Sequence, residues 1–174
     1  MTMKWELTEI EKLKSISFDE MLELKNELMA RDSNVLNLSV VEVNGTVSYE
    51  DGFYDLFFVA DYQITVPSTR SLEPVSLNES TTVHEVYVRA DSHQDFSEDD
   101  FIMVLEDDEL SLDEAVADNI LLEIPSRVLT DEEKSAEELP AGENWQVLSE
   151  EGYEAAREKE KEENSPFKDL DKLF

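Results

Sequence analysis

Apolar residues along this chain change their period twice. Phe18, Met21, Leu22, Leu24, Leu28 and Met29 recur at helical spacing. They begin at Ser17, Phe18, Asp19 and Glu20, a pattern in which a serine hydroxyl and a glutamate three residues on satisfy the free amides of a first helical turn. The pattern predicts a helix ending near Arg31 and Asp32. Its methionines are read as core packing, because thioethers fill irregular apolar gaps. Upstream, Trp5, Leu7, Ile10, Leu13 and Ile16 line one side of residues 5–15, as either a strand or a helical turn.

From Val35 the period becomes two. Val35–Val43 and Thr46–Tyr49 flank Asn44–Gly45, the strongest short hairpin signal in the chain. Asp51–Gly52 marks a second turn before the long alternating run Phe53–Val66. Pro67 and Pro74 bracket a compact turn, after which Val75–Val88 alternates again. A last apolar run, Phe101–Leu105, follows the acidic loop Asp91–Asp100. Ser111, Leu112, Asp113 and Glu114 repeat the capping pattern, with Leu112, Ala115, Val116, Ile120 and Leu121 on the apolar side and Pro125 as the stop. The expected fold is α+β over residues 1–128. It is an antiparallel β meander or partly open barrel with two short capped helices packed on one face or over an open end.

Beyond residue 129 the composition shifts to an acidic tail. Asp131–Glu138 and Glu150–Glu163 are rich in charge and poor in large apolar groups, so neither buries enough surface to offset the entropy of ordering. A largely flexible segment is expected over residues 129–174, with apolar islands near Trp145 and at Phe167–Phe174.

Composition narrows the function. The chain has 174 residues, 40% apolar, enough for a real core, and no cysteine, which removes disulfides and thiolate metal sites. No run approaches the roughly 18 apolar residues of a membrane span, and the N-terminus lacks a signal-peptide pattern. A cytoplasmic protein is expected. Fourteen Lys and Arg face 44 Asp and Glu, for a net charge of −30. Such a surface repels phosphate backbones, so sequence-independent RNA or DNA binding is disfavoured. Most of these carboxylates serve solubility, and some are candidates to face a basic partner.

The catalytic inventory is sparse. His84 falls in a strand and His93 in the acidic loop, without a triad pattern, and the four glycines are scattered, so there is no phosphate-binding loop. No enzyme, cofactor or metal site is expected. Arg70 is the only Lys or Arg between Arg31 and Arg89. Its guanidinium suits either an internal ion pair, with Glu73 for example, or a bidentate contact with a phosphate or partner carboxylate. In the last island Phe167, Leu170, Leu173 and Phe174 recur at three- and four-residue steps after Pro166. That island either docks on its own sheet or inserts into a partner's groove.

Residues 64–75, reading Ile-Thr-Val-Pro-Ser-Thr-Arg-Ser-Leu-Glu-Pro-Val, resemble the centre of the YceD-type family, associated with accumulation of large-subunit ribosomal RNA. The family's turn reads Cys-x-Arg-Cys-Leu-Glu-Pro between two strands. Arg70, Leu72, Glu73 and Pro74 match it, while Ser68 and Ser71 stand at the cysteine positions. Leu110–Pro125 is similar to the family's short helix ending at a proline, Asn164–Phe174 to its terminal segment, and Lys4–Trp5 to its opening. The turn cysteines suggest a metal in some relatives. Serines are poor zinc ligands, so that capacity does not transfer, and hydrogen bonds or packing must replace it here.

The resemblance implies a non-enzymatic factor for ribosomal RNA accumulation, acting through ribosome assembly or precursor-RNA processing. Its partner would be a large-subunit precursor particle or a basic ribosomal protein. The alternative is a nucleic-acid-binding module contacting precursor rRNA through Arg70 and exposed aromatics; a small hydrolase is a third class. The implied partner-binding residues are Arg70, Leu72, Glu73, Pro74, Phe167 and Leu170.

Overall fold

Alternation from Phe53 to Pro67 puts Tyr54, Leu56, Phe58, Ala60, Tyr62, Ile64 and Val66 on one face, all buried, and Phe57, Asp61 and Gln63 on the other. This strand organises the domain. The computed structural model describes residues 3–92, 101–135, 141–142 and 145–146. The chain divides into two units, Met1–Thr130 and Asp131–Phe174.

In the first unit the order is β1 (Lys4–Glu6), α1 (Leu7–Leu13), β2 (Ser15–Leu22), α2 (Lys25–Arg31), β3 (Asn37–Leu38), β4 (Val41–Glu50), β5 (Phe53–Pro67), β6 (Pro74–Arg89), β7 (Ile102–Leu105), β8 (Glu109–Ser111) and α3 (Leu112–Glu123). The main sheet runs β2-β4-β5-β6-β7, with β3 also paired to β5. It is open rather than closed into a barrel. Five of its six strands pair antiparallel, as expected, but β7 lies parallel to β6, Val86 opposite Ile102. A parallel partner needs a crossover of about a dozen residues. The Ala90–Phe101 connection supplies that length. In the second unit, α4 (Asp131–Ser135) and the short pair β9 (Ala141–Gly142) and β10 (Trp145–Gln146) are described.

Two local signals gave way to tertiary pairing. Ser17–Glu20 does not cap a helix; it lies in β2, whose eight residues pair with β4. Phe18 and Leu22 point into the core and Met21 outward, the strand alternation, and the Trp5 and Phe18 rings meet at 5.0 Å between centroids. The helix is confined to Lys25–Arg31 and buries Leu28. Asn44–Gly45 is not a turn either, but the middle of β4. In register, Gly45 stands between Phe18 on β2 and Phe58 on β5. A Cβ there would lie 2.1 Å from the Phe57 carbonyl oxygen and 2.9 Å from the Phe18 ring. The missing side chain is used for close strand approach, not for a turn.

Asp51–Gly52 makes the hairpin turn, with φ of 48° and 93°. Both residues lie in the left-handed region that a two-residue hairpin of this hand requires. The Ser111 cap also forms: its Oγ accepts from the Glu114 N–H at 3.3 Å. Leu112, Ala115, Val116 and Ile120 of α3 are buried, while Leu121 is half-buried. Leu110, α1 residues Leu7 and Ile10, and the inner faces of β4 and β5 complete this core. Each fully buried Leu, Ile or Val among them contributes about 1.5–3 kcal/mol of burial. β1 pairs with β8, and the Met3 N–H donates to Asp113 Oδ1 at 2.8 Å, which ties the start of the chain to the start of α3.

Candidate functional site

The β5–β6 ladder runs to its last pair, Pro67 opposite Pro74, leaving six residues to reverse the chain. A proline has no N–H to give the ladder, so the pair marks its end. Ser68 then organises the reversal. It is wholly buried; its N–H donates to the Glu73 carbonyl at 2.7 Å, and its carbonyl accepts from Leu72 N–H at 3.1 Å. Its Oγ accepts from the amides of Arg70, at 3.1 Å, and Ser71, at 3.3 Å. Ser71 Oγ accepts from Glu73 N–H at 3.4 Å. Leu72 takes φ 65°, a left-handed conformation that costs a branched residue about 1 kcal/mol or more.

The two serines at cysteine positions thus hold the turn by hydrogen bonds. The hydroxyl of Ser68 is directed at the chain's own amides, and buried amides left without an acceptor are costly.

The turn is also anchored across the fold. Thr69 donates both its N–H, at 2.8 Å, and its hydroxyl, at 2.9 Å, to the carbonyl of Val128, which follows α3 and is buried. Under this anchor lies a cavity of about 380 Å³. Val66, Pro67, Leu72, Ile124, Pro125 and Val128 form its apolar walls, and Asp32, Asn34, Ser68, Thr69 and Ser126 its polar points. Asp32 Oδ1 accepts from the Asn34 N–H at 2.8 Å, fixing that side of the rim.

Arg70, Leu72, Glu73 and Pro74 are therefore brought together on one exposed turn, and Leu72 keeps 73% of its surface in water. Phe167 and Leu170 lie outside the described residues. The sequence reading missed Val128, whose carbonyl anchors the turn through Thr69. No sequence spacing connects positions so far apart.

A second concave region lies between β7 and α3, about 480 Å³ in volume. Met103, Leu105, Leu110 and Ala115 line it, and carboxylates of Glu85, Glu106, Asp107, Glu109, Glu114 and Asp118 surround them. Glu85 accepts from Tyr87 Oη at 2.5 Å and from Asn119 Nδ2 at 2.7 Å. Burial first, and then the Glu85 carboxylate, push the Tyr87 phenol up from its ordinary value. Arg31 of α2 pairs with Asp118 on the same rim.

His84 sits on the outer face, 3.1 Å from Asp55 Oδ1, as an exposed pair. His93 lies outside the described residues. No helix among the described residues is long and apolar enough to cross a membrane.

Comparison with known proteins agrees with the residues of the turn. The family model described as large ribosomal RNA subunit accumulation protein YceD matches residues 58–174, from the middle of β5 onward. A Bacillus subtilis (strain 168) protein, "Uncharacterized protein YlbN", is 31% identical over 152 residues, covering 86% of this chain and 87% of the relative. No solved structure matches. With most of β5, the turn and the following helix α3 inside the matched region, the chain belongs to the YceD family, named for accumulation of large-subunit ribosomal RNA.

Proposed function

We propose that this protein is a non-enzymatic, cytoplasmic factor that promotes accumulation of large-subunit ribosomal RNA by engaging a precursor particle. The family match over residues 58–174 carries the reading. Charge suggests the mode of contact. A chain of net charge −30 gains little from tracking a phosphate backbone, whereas its acidic surface complements a basic ribosomal protein. The carboxylate-rimmed region between β7 and α3 suits lysine and arginine side chains, whose stems lie on Met103 and Leu105 while their heads meet the rim. The exposed turn Arg70–Pro74 supplies a second, specific contact.

The test is affinity purification from cells with and without ribonuclease, beside large-subunit RNA levels in cells lacking the protein. Recovery of ribosomal proteins after ribonuclease, together with reduced large-subunit RNA in the deletion, is the expected result. Loss of every ribosomal partner after ribonuclease counts against direct protein contact, and unchanged RNA levels count against the function.

A further inference from the structure

Strand β7 closes one side of the main sheet: one of its edges pairs with β6, and the other meets no strand among the described residues. Backbone groups of successive strand residues alternate between the two edges. The Leu105 carbonyl accepts from the Ala90 N–H at 3.1 Å, so Leu105 and Met103 direct their amides and carbonyls toward β6. Those of Ile102 and Val104 therefore face the open edge, a template for a further strand. The strand itself, Ile-Met-Val-Leu, has neither the charge nor the proline that commonly blunts an edge. Met103 and Val104 are exposed, and Phe101, just before them, keeps 98% of its surface in water. Beside this edge lies the 480 Å³ concavity between β7 and α3, lined by Met103 and Leu105. Two of its carboxylates already have cations, Asp118 with Arg31 and Glu109 with Lys4. Glu85, Glu106, Asp107 and Glu114 make no direct ion pair among the described residues.

We infer that β7 receives an extended segment of a basic protein as an added strand, with alternate lysine or arginine side chains laid into the concavity between β7 and α3. The inference rests on the proposed contact with a basic ribosomal protein and gives that contact its form. In strand addition the main-chain hydrogen bonds hold the segment, and pockets for alternate side chains select its sequence. Residues two apart on the added strand share a face. Successive basic side chains therefore fall beside Met103 and then Leu105, which register places on the same face of the sheet as Tyr87 and Arg89. Their aliphatic stems cover the methionine and leucine, and their heads reach the carboxylates that lack a cation. Glu85 is already positioned for this, held by Tyr87 Oη at 2.5 Å and Asn119 Nδ2 at 2.7 Å.

Charge and backbone together exclude the other occupants. A second copy of this chain would bring its own net charge of −30 to a carboxylate rim. A nucleic acid meets the same repulsion and has no peptide groups to pair with Ile102 and Val104. The four residues of β7 allow only a short ladder, so neither the hydrogen bonds nor the ion pairs suffice alone. The segment selected is extended, with a basic residue at every second position.

The test is a titration of the full chain with the capped peptide Arg-Val-Arg-Val-Arg-Val, followed by backbone amide shifts and hydrogen exchange. In the free chain the Ile102 and Val104 amides should exchange fast; the peptide should shift them and slow their exchange. A Glu-Val peptide of the same length should not bind, and the arginine peptide should weaken several-fold as salt is raised. Two further versions, N-methylated at every valine or at every arginine, keep the charges; the one whose N–H groups face β7 should lose binding. Glu114→Gln should weaken binding several-fold. Val104→Pro removes an outward N–H, which an edge strand tolerates, and should abolish binding. No response to the arginine peptide, equal binding of the Glu-Val peptide, or full binding of both methylated versions overturns the inference. Slow exchange at Ile102 and Val104 in the free chain also overturns it: if it persists on dilution a segment of this chain covers the edge, and if it disappears a second copy does. Should the peptide fail while ribosomal proteins are still recovered after ribonuclease, only the edge assignment falls. Should the peptide bind while none is recovered, the ribosomal reading falls and the site for a basic strand stands.

Discussion

Arg89 Nη2 lies 3.1 Å from Glu11 Oε1, joining the end of β6 to α1 across 78 residues of sequence. Tyr54 completes the arrangement, donating its hydroxyl to Glu11 at 2.5 Å and accepting from Arg89 Nε at 3.0 Å. The other arm of Arg89 reaches Asp108 at 3.0 Å, in the bend before β8. One guanidinium thus ties the sheet, the first helix and the β7–β8 connection. Arg89→Leu should lower stability by about 1–3 kcal/mol, because the Tyr54 hydroxyl and the Glu11 carboxylate lose a charged partner in a partly buried place. Chemical denaturation of the variant beside wild type checks it.

The same cluster sets a pH dependence. Burial first, and then the Glu11 carboxylate, push the Tyr54 phenol from 10.0 up to about 12. Tyr62 and Tyr87 are shifted in the same direction, chiefly by burial. A group whose folded pKa exceeds its unfolded value contributes stability that is complete below the unfolded pKa and is lost as pH rises through the folded one. Stability should therefore hold up to about pH 10 and decline toward pH 12. Tyr54→Phe should make that decline shallower. Denaturant midpoints between pH 8 and pH 12 measure it, and an equally steep decline in Tyr54→Phe would count against Tyr54.

Ser68→Ala removes the acceptor for the Arg70 and Ser71 amides and should cost about 1–3 kcal/mol. Ser68→Cys, which restores the residue type of the family's turn, should cost less, since a sulfur still accepts weakly. Ser71→Ala, on the exposed side, should stay within about 0.5 kcal/mol of wild type. Thermal unfolding of the three variants ranks them, and equal loss for Ser68→Ala and Ser71→Ala would remove Ser68 from its role in shaping the turn.

Gly45→Ala should destabilise by about 1–3 kcal/mol or more, the range for overpacking a core, because the new Cβ meets backbone rather than a movable side-chain end. A cavity made by Phe18→Leu in the same molecule should recover only part of this loss, since the 2.1 Å approach to the Phe57 carbonyl remains. Urea unfolding of the single and double variants tests both statements.

Arg70→Ala should fold nearly normally, because an exposed ion pair is worth about 0–1 kcal/mol. It should nevertheless weaken association with large-subunit precursors, where loss of a charged interface contact costs about 2–5 kcal/mol. Arg70→Lys should rescue only in part, since the planar fork is absent. Thermal unfolding beside co-sedimentation with ribosomal fractions separates the two roles. A lowered midpoint with normal co-sedimentation of the folded fraction would make Arg70 a structural residue.

The sequence alone determined what depends on near neighbours. The alternation of Phe53–Val66 sets a strand whose face is decided by the chain itself, because successive side chains must point to opposite sides. Asp51–Gly52 and Ser111–Glu114 formed their turn and cap because the groups that satisfy each other lie within three residues. The turn residues Arg70–Pro74 were legible through their match to a known pattern, bracketed by two prolines. Tertiary structure decided where two local signals meant something else. Ser17–Glu20 has the same capping pattern as Ser111–Glu114, yet eight ladder pairs with β4 and the Phe18–Trp5 contact make it a strand. Asn44–Gly45 reads as a hairpin, yet Gly45 is held between Phe18 and Phe58, where only a residue without Cβ fits. The parallel placement of β7 and the anchoring of the turn at Val128 had no local signal at all. Both arise from long-range pairing, the β6–β7 ladder with Val86 opposite Ile102 and the Thr69 hydrogen bonds to Val128 across the fold, whose partners the chain brings together only once the core has closed.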